Sequence, residues 1–233
     1  MQNTAKNIEN TDEPYLIASL PFEGKWLVGY TPAKQIPSHG TNLFGTRYAI
    51  DFMAVNDQKK TAPSMSWRTI LATESPELFY SFGRPVLSPI NGKVIRIHNN
   101  ETDHEARRSI FSLLPYALGQ ASRVRMGHNK IAGNYILIKA ENCDIFVAIV
   151  HLQKDSLLVR EGELVSEGQH IANCGNSGNS TEPHIHIQAM DTSDFSMAKG
   201  VPLYFKNIIQ HEKGKNKTLT NAFPNPDSIV SSE

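Results

Sequence analysis

The sequence predicts a mainly β fold, an antiparallel β-sandwich interrupted by two inserted segments of loop and short helix. Three observations predict it. Short runs rich in Val, Ile, Tyr and Phe recur along the chain, bounded by Gly, Asn, Pro or Asp. Turn-forming residues sit between those runs. The stretch from Val159 to Gly175 places glycines at 162, 168 and 175 among very short apolar pieces, and each glycine permits the positive φ a sharp reversal needs.

Taken in order, Lys25–Tyr30, Tyr48–Met53, Gly92–Ile97, Tyr135–Ile138, Ile145–Leu152 and His184–Ala189 read as strands. Pro89–Gly92 and Glu141–Asp144 carry the residues of hairpin connections. Residues 56–82 have no period. Residues 101–131 contain Ala106–Leu114, a short helix predicted to stop at Pro115, where the chain loses a backbone donor. These two stretches are the insertions, and loops of this kind often shape binding sites. Residues 1–20 read as a polar leader, 21–212 as one domain, and 213–233 as a loosely held tail with Gly214, Pro224, Pro226 and a Ser231-Ser232-Glu233 end.

The 233 residues carry 23 Lys+Arg against 23 Asp+Glu, so there is no net charge and no basic field to draw a nucleic-acid partner. A hydrophobic content of 39% with a mean hydropathy of −0.35 excludes disorder as the state of the whole chain. The longest apolar run, Ile145–Val150, is far short of the ~20 residues of a transmembrane helix. Residues 1–10 carry no apolar core of a signal peptide. Cys143 and Cys174 are too few for a disulfide framework and lack zinc-knuckle spacing; they can form one bridge, and buried free thiols are the simpler reading.

Three places collect residues of metal and proton chemistry. His184 and His186 lie two apart on a strand and share a face. They can serve one metal together, divide metal binding and proton transfer between them, or stand as hydrogen-bonded surface histidines. Asp51 alternates against Tyr48, Ile50 and Phe52; were both faces covered, its carboxylate would need a partner or a metal. His39 lies twelve residues upstream, in Pro37-Ser38-His39-Gly40. His151 ends the most apolar run and reads either as a satisfied core histidine or as a site residue.

In order, Asp51 after His39, Pro85–Pro89 with Asn91–Val94, Gly133–Ile138, His151-Leu152, Val165–Gln169, and Gly175-Asn-Ser-Gly178 through His186 make a specific pattern. The sequence resembles the lysostaphin-type zinc endopeptidases over about residues 21–206. The resemblance implies a groove across one sheet, walled by the two insertions, with zinc on its floor. It implies zinc ligands at His39, Asp51 and His186, two nitrogens and an oxygen that leave a position for water. It places His151 and His184 as the catalytic histidines, His184 being the first choice of base. The implied partners are peptidoglycan stem or cross-bridge peptides, and the implied location is extracytoplasmic, secreted or in the cell wall. Many family members separate the first His and Asp by three residues, whereas eleven separate His39 from Asp51 here; loop closure entropy rises slowly enough to allow that. The other reading is a non-catalytic peptidoglycan-binding or regulatory module on the same fold. Since all five positions are kept, the active enzyme is favoured. A lipoyl- or biotin-type carrier is set aside because Val159–Gly175 contains no lysine.

Overall fold

A computed structural model describes residues 13–63, 72–212 and 215–233 of the chain. The strands are β1 (Leu16–Ala18), β2 (Trp26–Val28), β3 (Ile50–Ala54), β4 (Pro85–Leu87), β5 (Gly92–His98), β6 (Asn134–Ala140), β7 (Phe146–Leu152), β8 (Leu164–Val165), β9 (His170–Asn173), β10 (Ile185–Met190), β11 (Gly200–Val201), β12 (Leu203–Phe205), β13 (Ile208–Glu212), β14 (Lys215–Leu219) and β15 (Ile229–Ser232). Helices α1 (Ile110–Leu118), α2 (Gln120–Arg125) and α3 (His128–Ala132) interrupt them between β5 and β6. Tight 3₁₀ turns occupy Leu43–Tyr48 and Pro76–Leu78.

Most strands join one large sheet in the order β14-β13-β15-β2-β3-β10-β7-β6-β5-β8, with β11 also paired to β10. Its centre is apolar on both faces because the sequence there is. Val147 and Ile149 of β7, Ile136 and Ile138 of β6, and Ile185 and Ile187 of β10 point into the main core. Ala148, Val150, Tyr135 and Leu137 point the other way, into a smaller cluster with Phe195 and Met190. The two-stranded sheet β4–β9 adds Val86, Ile171 and Ala172 to the main core, which makes it the second layer of the sandwich. At the β2–β3 end the core is aromatic. Phe22 stacks on Trp26 at 4.6 Å and meets Phe52 edge-on at 4.9 Å.

Several local expectations change. Pro89–Gly92 is not a hairpin: β4 pairs with β9, whereas β5 pairs with β6 and β8, so this turn carries the chain between layers. Glu141–Asp144 does join a hairpin, β6 to β7. The helix in the second insertion begins later than predicted and runs through position 115. Ser109 sets its start, since the Ser109 hydroxyl accepts from the Ser112 N–H. A helix can absorb the one hydrogen bond a proline removes. The stretch expected to be a loose tail is tied in. β15 pairs with both β13 and β2, and β14 pairs with β13, so backbone bonding holds segments whose side chains gave little sign of it. At the other end β1 pairs in parallel with β12, within the expected leader, while residues 1–12 lie outside the described ones.

Candidate metal centre

Three neighbouring strands of the large sheet, β3, β10 and β7, carry the site. Asp51 of β3 and His186 of β10 are register partners, and His186 is in turn opposite Val150 of β7. Alternation therefore puts the Asp51 and His186 side chains together on the face away from the main core, while Ile50, Phe52, Ile185 and Ile187 fill that core.

His151 reaches the same face by breaking alternation. Val147 and Ile149 point inward, and strict pleating would send His151 after them. Instead His151 has φ +60, and the β6–β7 register slips between Asn134 and Ile136. The extra residue is a bulge that turns His151 outward beside Val150 and returns Leu152 to the core. The Gly175–Gly178 loop holds it there. The Ser177 hydroxyl donates to the Leu152 carbonyl at 2.8 Å and accepts from the Asn134 N–H at 3.0 Å, while the Ser177 carbonyl lies 2.9 Å from His151 Nδ1. A carbonyl only accepts, so Nδ1 carries the proton and Nε2 presents a lone pair to the site.

His39 comes from the loop before β3. That loop returns because the 43–48 turn folds against β10 through Gly45, at φ +78, where a Cβ would lie 2.7 Å from Met190 Cγ. His39 Nε2 then lies 3.1 Å from Asp51 Oδ2, despite the eleven intervening residues. The Ser38 hydroxyl is 3.0 Å from His39 Nδ1 and 3.3 Å from the Thr46 carbonyl. Donating to Thr46, it accepts the Nδ1 proton and frees Nε2. His184, just before β10, has Nδ1 2.8 Å from the Glu182 carbonyl, so its Nε2 also faces the site, 3.8 Å from Asp51 Oδ2. The His151 and His184 ring centres are 4.8 Å apart.

His186 decides what the cluster can hold. Its Nε2 lies 3.0 Å from Gln188 Oε1, and the Gln188 amide nitrogen donates to the Phe44 carbonyl at 2.6 Å. That second bond fixes the amide, so Oε1 must accept the proton from His186 Nε2, leaving a lone pair on Nδ1. Nδ1 faces Asp51 Oδ1 at 2.9 Å, and Oδ1 is buried without a hydrogen-bond donor. Two lone pairs at that distance repel unless a proton or a cation joins them. The residues fit a divalent metal ion: His39, Asp51 and His186 offer two imidazole nitrogens and a carboxylate oxygen within 4.8 Å of one another. His151, His184 and His186 form a second grouping of the same size without a carboxylate.

Electrostatics agree with this reading. Burial alone would raise the Asp51 carboxyl, but His39, His184 and His186 hold it well below its ordinary value. Burial, reinforced by His184 and His186, pushes His151 well below the ordinary histidine range despite Asp51 and Ser177, so it stays neutral. Both cysteines are free: Cys174 is buried, which raises its pKa, whereas Cys143, expected to be buried, is exposed in the turn between β6 and β7.

Both insertions are tied to the loop leading into β10. Thr61 Oγ1 donates to Glu182 at 3.0 Å, the Arg107 N–H donates to the Thr181 carbonyl at 2.6 Å, and Arg123 donates to Asn179 at 2.7 Å. Arg108 pairs with Glu74 through two bonds of 2.8 and 2.6 Å and reaches the Pro63 carbonyl, which joins one insertion to the other. Residues 64–71 of the first insertion lie outside the described ones.

The model of peptidase family M23 matches residues 116–198, a stretch that includes His151, His184 and His186. Over that stretch the chain is similar to peptidase family M23. Among curated relatives, this chain is 30% identical over 127 residues to the peptidoglycan DD-endopeptidase ShyA of Vibrio cholerae serotype O1, covering 51% of this chain and 28% of that one. It is 31% identical over 102 residues to ShyB of the same organism, covering 44% of this chain and 22% of that one. The chain thus spans about a quarter of the length of these relatives. Among solved structures, the catalytic domain of lysostaphin from Staphylococcus simulans is similar at 18% identity and a TM-score of 0.38, covering 76% of this chain and 88% of that one. His39 and Asp51 precede the M23 match, and the fold brings them to it. Sequence reasoning missed Gln188, Ser177 and Ser38 as supports. Gln188 continues the alternation of His184 and His186, and that spacing was the available signal.

Proposed function

We propose that this chain is a zinc-dependent endopeptidase that hydrolyses peptide bonds of bacterial peptidoglycan outside the cytoplasm. The observation that supports it most is the buried Asp51 Oδ1 facing the His186 Nδ1 lone pair, with His39 Nε2 on the other carboxylate oxygen. His39, Asp51 and His186 would hold the zinc. When bound, zinc supplies a Lewis acid that polarises a carbonyl and lowers the pKa of a coordinated water to about 7.

The chain's remaining residues divide the proton work. His184, with 11% of its side chain exposed to the groove, offers Nε2 to take the proton of the attacking water and pass it to the leaving amine. His151, neutral and fixed by Ser177, accepts a hydrogen bond through Nε2 and orients that water or the leaving group. Gln188 keeps the His186 proton on Nε2, so that Nδ1 stays free for the metal. Among the described residues no helix is long and apolar enough to cross a membrane.

The test is release of new amino termini from purified peptidoglycan by the zinc-loaded protein and by His184→Ala. The wild type should hydrolyse. His184→Ala should keep its zinc and lose about 10²–10⁴-fold in rate. Equal rates would refute the role of His184, and zinc retention with no hydrolysis by the wild type would favour a binding module.

A further inference from the structure

The second insertion carries a surface that the peptidase reading leaves unused. Helix α1 has two opposed sides. Tyr116 lies against the body of the protein: its hydroxyl donates to the Gly178 carbonyl at 3.4 Å, and its ring sits between the guanidinium groups of Arg107 and Arg123, at 4.5 and 3.8 Å. Phe111, Leu114 and Leu118 follow one another at helical spacing and form one stripe, about half a turn around the helix from Tyr116. The three side chains of that stripe are 61–79% exposed, and Met126, just past α2, is exposed as well. A surface helix ordinarily turns its apolar stripe toward the core, and this one turns it out.

Charge gathers on the same insertion. Residues 106–132 hold Arg107, Arg108, Arg123, Arg125 and Lys130 and no Asp or Glu, in a chain whose net charge is zero. Glu74 pairs with Arg108, and Glu101 pairs with Lys130. Arg107 takes the backbone carbonyl of Glu105 rather than its carboxylate, Arg123 takes Asn179 and the Tyr116 carbonyl, and Arg125 is exposed. Among the described residues none of these three cations has a carboxylate partner.

We infer that this insertion docks on an anionic phospholipid surface, with α1 lying in the interface and its Phe111, Leu114 and Leu118 stripe among the acyl chains. Charge complementarity selects the partner. Acyl chains take the apolar stripe, and headgroup phosphates take the uncompensated guanidinium groups beside and behind it, the division of faces an interfacial helix uses. A second copy of the chain would meet the stripe equally well but would bring the unpaired arginines of two insertions together, where they repel. With nine residues α1 lies on a bilayer and cannot cross one. The bonds from this insertion to Thr181 and Asn179 then tie the docked surface to the loop that leads into the strand of His186. The inference does not depend on the peptidase reading.

The test is cosedimentation of the full chain with vesicles of phosphatidylglycerol and phosphatidylcholine in equal parts, and with vesicles of phosphatidylcholine alone. The wild type should bind the anionic vesicles, less tightly as salt is raised, and the neutral ones about 10-fold or more weakly. Leu114→Ser and Leu118→Ser should each weaken binding about 10-fold or more, as loss of one buried leucine does, and Arg125→Gln about fivefold. Leu164→Ser removes a leucine of similar exposure from β8, at the end of the large sheet, and should leave binding unchanged. All four side chains are exposed, so urea midpoints should stay in place and lost binding reports on the surface rather than on folding. No binding to anionic vesicles, equal binding to both kinds, or full binding by the serine variants would each overturn the inference. A dimer in sedimentation velocity that Leu118→Ser abolishes, with no vesicle binding, would overturn it in favour of a second copy. Zinc content and hydrolysis in solution should be the same in Leu118→Ser as in the wild type, so failure of the peptidase reading is seen separately.

Discussion

Gln188→Leu separates a positioning role from mere packing. In the folded protein Gln188 is 3% exposed and uses both ends of its amide, accepting from His186 Nε2 at 3.0 Å and donating to the Phe44 carbonyl at 2.6 Å. Leucine keeps the volume and removes both bonds. The Phe44 carbonyl loses its buried donor, which costs about 1–3 kcal/mol of stability. His186 loses the acceptor that selects its tautomer, and loss of such an outer partner weakens metal binding about 10–100-fold, or about 1.4–2.7 kcal/mol. Gln188→Glu distinguishes the two effects. It keeps an acceptor for His186 but sets a carboxylate oxygen against the Phe44 carbonyl, so zinc affinity should stay within a few fold while stability falls. The assay is zinc competition against a chromophoric chelator at neutral pH, with ¹⁵N shifts of the His186 ring in the zinc-free protein and a urea titration alongside. Unchanged zinc affinity and an unchanged His186 tautomer in Gln188→Leu would refute the reasoning.

Three further perturbations test other links. Arg108→Ala leaves the Glu74 carboxylate, 3% exposed on its side chain, without its partner and unties the two insertions; because Arg108 is itself 20% exposed, the expected loss is about 2–4 kcal/mol by urea titration, somewhat under the cost of breaking a fully buried pair, and no loss would mean the walls are held otherwise. Gly45→Ala combines a left-handed backbone with a Cβ 2.7 Å from Met190, so about 2–4 kcal/mol and a weaker hold on His39 should follow; unaltered zinc affinity would contradict the part assigned to this turn. The zinc-free protein should lose stability on acidification because burial and the neighbouring imidazoles depress His151 in the fold. The unfolded chain binds that proton first, near pH 6.5, so the stability is complete above that pH and falls as pH drops toward the lower folded value. Urea midpoints at pH 7.5 and 5.5 should therefore diverge less in His151→Gln than in the wild type, and equal divergence would remove His151 from the account.

The sheet centre was legible in the sequence because β6 and β7 are apolar on both faces, β10 sends Ile185 and Ile187 into the core, and all three are bounded by turn residues. The edges were not. In β14 the side chains of Lys215 to Thr218 are exposed, as an edge strand protected by lysines should be, so composition alone pointed to a tail. The β4–β9 pairing is long-range, and local turn chemistry at Pro89–Gly92 suggested the wrong partner. Of the site, His184 and His186 were readable from the period of a strand, and Asp51 from a carboxylate among apolar neighbours. His151 faces them only through a bulge that strict alternation does not announce, and His39 only through a loop whose return depends on Gly45 packing against Met190. Gln188 shares the face of His184 and His186 by alternation, but its role stays hidden until its partners, one of them the carbonyl of Phe44, are known.

Metal content tests the central claim most directly. Elemental analysis of the wild type and His186→Ala, purified and equilibrated with zinc side by side, should give about one zinc per chain in the first and little in the second, as loss of one of three protein ligands requires. Equal zinc in both proteins, or none in the wild type, would contradict the assignment of His39, Asp51 and His186 as a metal centre.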